Sequence, residues 1–155
     1  MITKPKVQKI RVRKWLEVVP GGMPTTNTLD KLEEAIAAEM LNAAGLASDD
    51  EPLLANYRSI SEWCLLSTRR LVWLNQGLLS SLPWADITLA QQPPEKAAQI
   101  IRGELSKDNI SELEIFDSAG SKHVVRIEAG EPYYIIWSAI LAFSNLSRKP
   151  DLIPL

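Results

Sequence analysis

Apolar and basic residues alternate in the first patterned segment, Val7–Val19. The alternation runs through five consecutive residues: Lys9, Ile10, Arg11, Val12 and Arg13. A period of two is typical of a half-buried strand. The following Pro20-Gly21-Gly22-Met23-Pro24 sequence interrupts regular structure. We therefore predict a strand over Val7–Val19 and a loop over Pro20–Asn27.

The segment Leu29–Ala44 has the clearest helical pattern. Its apolar residues recur at steps of three and four: Leu29, Leu32, Ile36, Met40 and Leu41. This spacing puts them on one stripe of a helix. Asn27 or Thr28 can cap its start, and Gly45 can end it in a left-handed conformation. The opposite face should be wet, because it carries Lys31, Glu34 and Asn42.

Five short segments then have the composition of strands. They are Leu53–Ile60, Glu62–Leu66, Arg70–Leu74, Leu78–Leu82 and Ala85–Ala90. The residues Ser67-Thr68-Arg69 and Asn75-Gln76-Gly77 are turn signals between them. Pro83 should mark a bend or an edge, because proline donates no ladder hydrogen bond.

The second half predicts two helices and a hairpin. Glu95–Leu105 has a helical pattern, and Ser111–Phe116 and Lys122–Ile127 alternate around the turn Asp117–Gly120. Within the hairpin, Glu114 should pair across the strands with Arg126 or Lys122. The tail Lys149–Leu155 contains two prolines and should be irregular.

The helix predicted over Pro132–Leu146 is apolar around most of its circumference. Proline suits the first turn of a helix, since its missing N–H has no partner there. Apolar residues lie on the main stripe and on both flanks. We therefore expect burial on more than one side, and a homo-oligomer formed through this helix.

Composition is that of an ordinary globular domain. The chain has 155 residues, of which 46% are hydrophobic and 23% charged, so disorder and a fibrous fold are not expected. Its one cysteine, Cys64, excludes an internal disulfide and suits a reducing compartment. No secretory signal or long apolar run occurs, so we expect a cytoplasmic protein.

Charge is distributed unevenly along the chain. The first 14 residues contain six basic residues and no acidic one: Lys4, Lys6, Lys9, Arg11, Arg13 and Lys14. The rest holds 11 basic and 19 acidic residues, so it sums to −8. The simpler interpretation is that the basic residues form the wet face of an edge strand. The alternative is an arm that contacts a membrane surface or another anion; nucleic acid is not expected.

Two segments carry a resemblance to a known family. Cys64–Leu74, CLLSTRRLVWL, resembles the strand–turn–strand of bacterial pleckstrin-homology-like (PH-like) domains, and Leu82–Ile87, LPWADI, resembles their next segment. The resemblance implies an α+β fold. Its core would be an antiparallel β-barrel or strongly bent sheet, with an N-terminal helix and a C-terminal amphipathic helix. The PH-like domain would span 28–147, preceded by a basic segment, 1–27, and followed by a tail, 148–155. Two features depart from the family pattern: Gln91–Ser106 is longer than expected, and the segment before residue 28 has no counterpart.

Residues that could carry catalysis or bind a metal are few. His123 is the only histidine, and one His and one Cys do not make an ordinary zinc site. The acidic turn Asp49-Asp50-Glu51 lacks the spacing of a calcium loop. Pro20–Pro24 lacks the lysine and hydroxyl of a phosphate-binding loop. We therefore expect no enzyme activity, no cofactor and no metal.

Aromatic and arginine residues suggest a contact surface instead. Trp63, Trp73 and Trp84 are explained most simply as core residues. The alternative places Trp73 and Trp84 beside Arg69 and Arg70 on a partner-binding face, since Trp and Arg are enriched in binding hot spots. The functional hypothesis is a non-catalytic protein-binding module, with an immunity protein that neutralises a basic toxin domain as its specific form. The alternative is a membrane-surface binding domain that uses the basic segment.

Overall fold

The computed structural model describes residues 1–18 and 26–154, and these residues form an α+β fold. The helices are α1 Lys4–Glu17, α2 Glu34–Ala44, α3 Pro94–Ile101 and α4 Glu131–Ser147. The strands are β1 Ile2–Thr3, β2 Thr26–Asn27, β3 Pro52–Ser59, β4 Glu62–Ser67, β5 Arg70–Asn75, β6 Leu78–Pro83, β7 Ile87–Gln91, β8 Glu112–Asp117, β9 Lys122–Arg126 and β10 Leu152–Ile153. Short 3-10 turns occur at Leu29–Lys31, Trp84–Asp86 and Lys107–Asn109.

All strand pairs in the described residues are antiparallel. One sheet has the order β2-β3-β4-β5-β6, a second has the order β7-β8-β9, and β1 pairs with β10. The sheets do not close into a barrel within the described residues. Among these residues, no helix has both the length and the apolar character needed to cross a bilayer.

The central strand β4 is buried on both faces. Cys64 and Leu66 point into the main core with both sheets and α4, whereas Trp63 and Leu65 pack in a second cluster with α2 residues such as Met40. Burial on both sides explains why β4 reads as a continuous apolar run rather than as an alternation. The turn Asn75-Gln76-Gly77 also follows the prediction: Gln76 and Gly77 have φ of 50° and 80°, which suits a two-residue hairpin.

The predicted N-terminal strand is wrong, because Lys4–Glu17 is a helix. Pro5 lies in its first turn, and Gln8 and Val12 are buried four residues apart, with Trp15 and Leu16 packed against the core. The alternation covers only five residues, too few to outweigh this helical spacing. Val19 and residues 20–25 of the predicted loop lie outside the described residues. Thr26 and Asn27, also assigned to the loop, form β2 and pair with β3.

The predicted first helix begins later than its apolar stripe suggested. Leu29–Lys31 form a 3-10 turn, Leu32 is extended, and α2 starts at Glu34. Leu32 is nevertheless buried with Met40, while Leu41 is 37% exposed. The end is confirmed, because Gly45 caps α2 with φ of 59°.

Four strand predictions, the hairpin and α4 are confirmed within a few residues. Three other predictions are wrong: the start of the fifth strand, the end of α3 and the irregular tail. Trp84–Asp86 form a 3-10 turn, so the fifth segment begins at Ile87. Helix α3 ends at Ile101 instead of Leu105. In the tail, Leu152 and Ile153 pair with β1, because α1 packs on α4 and brings the start of the chain beside its end.

Of the two cross-strand partners predicted for Glu114, Lys122 is confirmed and Arg126 is not. Lys122 Nζ lies 3.4 Å from Glu114 Oε2, on a diagonal of the ladder. Arg126 instead lies opposite Glu112, with its Nε 3.9 Å from Glu62 Oε1 of β4.

Candidate binding site

Arg69 and Arg70 lie in the turn between β4 and β5, where each faces one carboxylate of the acidic turn. Arg69 contacts Asp49, and Arg70 Nε lies 3.0 Å from Asp50 Oδ2. We call this group the arginine corner: Asp49, Asp50, Thr68, Arg69 and Arg70. The acidic residues thus anchor the arginine turn.

The Asp50 carboxylate is the buried support of the corner. Its side chain is fully buried. Asp50 Oδ1 accepts hydrogen bonds from the Arg69 backbone N–H at 3.2 Å and from the Thr68 hydroxyl at 3.3 Å, while Oδ2 accepts from Arg70. A buried carboxylate requires such partners, because an unpaired charge costs several kcal/mol.

Every backbone carbonyl of the turn Ser67–Arg70 has a donor. Trp84 Nε1 donates to Ser67 at 2.9 Å, Gln8 Nε2 to Thr68 at 3.1 Å, the Trp84 backbone N–H to Arg69 at 3.2 Å and Ser67 Oγ to Arg70 at 3.1 Å. The turn is therefore fixed from α1, from Trp84 and from the strands. The Arg69 side chain projects from it with 61% of its surface exposed.

Trp73 and Trp84 are buried, each with 3% exposed surface. Trp84 packs edge-on against Phe143 of α4, with ring centroids 5.4 Å apart, and Trp73 packs against His123 at 5.6 Å. Trp63 is also buried. The core interpretation therefore holds for all three, and the tryptophans act on a contact surface only by supporting it.

The structure brings one residue of the basic segment next to the corner. Lys4 and Arg69 line the same cleft of about 220 Å³, between α1, the arginine turn and α4. Its floor is apolar and includes Trp84, Phe143 and Leu146. Lys4 Nζ lies 3.3 Å from the Ser147 carbonyl and 3.5 Å from Asp151 Oδ1.

Gln8 is the site residue that sequence reasoning missed. It lines the cleft and is 2% exposed. Its Nε2 donates to Thr68, but its Oε1 is buried without a hydrogen-bond partner among the described residues. Gln8 lies at helical spacing from Val12 and Trp15, so a helical reading of this segment would have placed it on the buried face.

The other basic residues lie away from the cleft. Lys6, Lys9 and Arg13 share one face of α1 at steps of three and four. Lys9 contacts Glu51, and Arg13 Nε lies 3.8 Å from Glu17 Oε1. The remaining two, Arg11 and Lys14, are exposed on other faces of the helix.

The residues considered for catalysis lie elsewhere. His123 Nε2 is 2.9 Å from Asp117 Oδ2, and this hydrogen bond lowers the pKa of Asp117. Cys64 lies in the core, where burial raises the pKa of its thiol to about 12 and makes it a poor nucleophile. The described residues contain no cluster of three or more His, Cys, Asp or Glu placed to hold a metal.

Comparison with known proteins gives no assignment. No protein-family model matches the sequence, and no curated protein is significantly similar to it.

Proposed function

We propose that this chain is a non-catalytic protein-binding module of the bacterial cytoplasm, and that the arginine corner is its contact surface. The observation that carries the proposal is the complete hydrogen bonding of the turn Ser67–Arg70 beneath an exposed arginine. A guanidinium presented on a fixed turn loses little conformational freedom on binding. Arginine is also among the residues that contribute most at interfaces.

The PH-like character of the fold belongs to the same proposal. Two consecutive antiparallel meanders, β3–β6 and β7–β9, are followed by the amphipathic helix α4. This order supports the fold that the resemblance implies. Helix α1 and strand β2 are additions before it, and the fold alone indicates no particular ligand.

The more specific form of the proposal is an immunity protein that neutralises a basic toxin domain. Outside the first 14 residues the chain sums to −8. Part of this charge surrounds Tyr57, where desolvation, then Glu39 and Glu33, raise the pKa of the phenol. A negative surface accelerates the encounter with a basic partner.

The test compares two arginines of similar exposure in an affinity capture from the native host. Arg69 is 61% exposed and contacts Asp49, whereas Arg102 is 56% exposed and contacts Glu104. A stoichiometric partner should bind the wild-type chain and Arg102→Glu, and should be lost with Arg69→Glu. A partner retained equally by both variants would place the contact surface elsewhere.

A second candidate function is binding to an anionic membrane surface, favoured by the cationic face of α1. Lys6 and Arg13 are exposed on that face, and each cation near an anionic leaflet contributes about 1 kcal/mol. Deleting α1 is not a clean test, because Val12 is part of the core. Sedimentation with phosphatidylserine vesicles should instead compare wild type with the double variant Lys6→Glu, Arg13→Glu. Equal, negligible pelleting of both would remove this candidate.

A further inference from the structure

Three features of the cleft beside the arginine corner indicate which kind of ligand it could bind. Among the described residues, two cationic side chains, Lys4 and Arg69, line it, and no acidic residue does. Its floor is formed by aromatic and aliphatic side chains. Its wall contains Gln8, a buried amide whose oxygen has no donor within residues 1–18 and 26–154.

The unpaired oxygen of Gln8 is the unusual feature. A buried acceptor without a donor is destabilising, because it has lost its hydrogen bonds to water and gained none in the protein. The Nε2 hydrogen bond to the Thr68 carbonyl fixes which end of the amide is the oxygen, since reversing it would place two acceptors together. Any ligand that offers an N–H to this oxygen recovers the loss. The oxygen is covered in the structure, so binding there requires the Gln8 side chain to reorient into the cleft.

The two cations select an anion. Their present partners, Asp151 for Lys4 and Asp49 for Arg69, are 101% and 59% exposed. The Arg69–Asp49 pair is exposed at both ends and contributes little to stability, so an entering carboxylate displaces Asp49 at little cost. Lys4 is only 20% exposed, so water screens a pair there less, whether its partner is Asp151 or an entering carboxylate.

The volume of the cleft suits about one apolar side chain. A cavity of roughly 150 Å³ accepts benzene, so about 220 Å³ accommodates one large apolar side chain. A carboxylate, an N–H and an apolar side chain occur together within a single residue only at the C-terminus of a chain. An internal Asp or Glu would need a neighbouring residue to supply the apolar group.

We propose that the cleft binds the C-terminal residue of a partner protein. Its carboxylate lies between Lys4 and Arg69, its backbone N–H donates to Gln8 Oε1, and its apolar side chain packs against the apolar lining of the cleft, in which Pro83 and Ala85 are exposed. This inference rests on the proposed function and names the part of the partner that the contact surface receives. A basic partner is compatible with it, because every chain ends in a carboxylate.

Peptide titration of the full ¹⁵N-labelled chain tests the inference. The probes are acetyl-Gly-Gly-Leu with a free carboxylate, its C-terminal amide, and acetyl-Gly-Asp-Leu-amide. The free acid should saturate shifts of the Thr68 and Arg69 amides and of the Trp84 indole N–H. Both amidated peptides should bind at least about tenfold more weakly, the equivalent of one charge-assisted contact.

Three variants make the test specific. Arg69→Gln and Gln8→Leu should each weaken the free acid about five- to tenfold, and Arg102→Gln should leave it unchanged. Arg69→Gln alters only an exposed side chain, so it remains informative even if Gln8→Leu disturbs packing. The inference is overturned if the free acid and its amide bind equally, if acetyl-Gly-Asp-Leu-amide binds better, or if no cleft signal saturates.

The experiments distinguish a wrong ligand for the cleft from a wrong contact surface. If peptides do not bind but Arg69→Glu still abolishes capture of the partner, the corner is a contact surface and the C-terminal ligand is wrong. If Arg69→Glu leaves capture intact, the arginine corner is not the contact surface, and both the corner and the C-terminal ligand proposed for its cleft are wrong.

Discussion

The arginine corner and the turn between β8 and β9 use the same arrangement with different burial. In each, one carboxylate oxygen accepts backbone N–H groups of a turn, and the other contacts a basic side chain at about 3 Å. Asp50 accepts from the Arg69 N–H and contacts the Arg70 guanidinium. Asp117 accepts from the Ala119 and Ser121 N–H groups and contacts the His123 ring. The Asp50 side chain is fully buried, whereas Asp117 lies near the surface with 17% exposed.

The difference shows what each carboxylate can contribute. Asp117 organises the turn it belongs to, and water can replace its contacts. Asp50 joins a turn that lies about 20 residues away in sequence, and water does not reach it. Loss of the fully buried carboxylate of Asp50 should therefore disturb the fold, and loss of the partly buried carboxylate of Asp117 should mainly change the response of the fold to pH.

The largest effect should come from removing the ring on which the arginine corner rests. Trp84→Ala deletes a buried side chain that packs on Phe143 and donates to the Ser67 carbonyl. We expect the free energy of unfolding to fall by about 3–5 kcal/mol in urea denaturation. A loss below about 1 kcal/mol would show that the corner does not depend on its core support.

The next effect should come from the buried carboxylate of the corner. Asp50→Ala leaves the Arg70 Nε–H without its carboxylate and leaves the Arg69 N–H only the longer contact to Ser67 Oγ, at 3.4 Å. We expect a loss of about 2–3 kcal/mol, below the roughly 3–5 kcal/mol typical of a fully buried pair, because Arg70 remains 31% exposed.

The neighbouring carboxylate is the matched control for Asp50. Asp49 contacts Arg69 across an exposed pair, so Asp49→Ala should cost less than about 1 kcal/mol in the same urea denaturation. Equal losses for the two variants would contradict the view that burial separates the two regions.

The smallest effect should come from Asp117→Asn, and it should depend on pH. The hydrogen bond from His123, followed by that from the Ser121 N–H, lowers the pKa of Asp117 below its ordinary 3.8. A lowered pKa in the folded state contributes stability that is fully present above the unfolded value and is lost as pH falls through the folded value.

The measurement is the difference in urea midpoint between wild type and Asp117→Asn, at pH 6 and near pH 2. The difference should favour wild type at pH 6 and shrink in acid. A difference that stays constant over this range would mean that the contact does not involve the charge of Asp117.

Local sequence predicts one of these two regions better than the other. The turn Asp117–Gly120 combines an aspartate with a glycine three residues later, and the backbone N–H groups that donate to Asp117 Oδ1 lie within four residues of it. Asp50 carried no such signal: the run Asp49–Glu51 looked like a wet acidic turn. Only the pairing of β3 with β4 sets it beside the arginines.

Helix α1 shows that secondary structure, too, can depend on tertiary packing rather than on the local pattern. The pattern of Lys9–Arg13 fits a strand over five residues. The segment is nevertheless a helix, because a helix allows Gln8, Val12 and Leu16 to be buried together against the core. Placing Lys4 and Gln8 beside Arg69 followed from that packing. The cleft was therefore invisible while the segment was treated as an arm.

The sequence by itself determined the elements whose stabilising contacts are local: the hairpins with their turn glycines, the Gly45 cap and the apolar helix α4. Tertiary structure alone decided which faces are buried and which distant charges meet. Turn conformation depends on a few neighbouring dihedral angles, whereas burial depends on every element that packs on a residue. For this reason the turn that carries Arg69 could be predicted from the chain, whereas the contacts of Asp50 and Gln8 and the cleft could be found only in the fold.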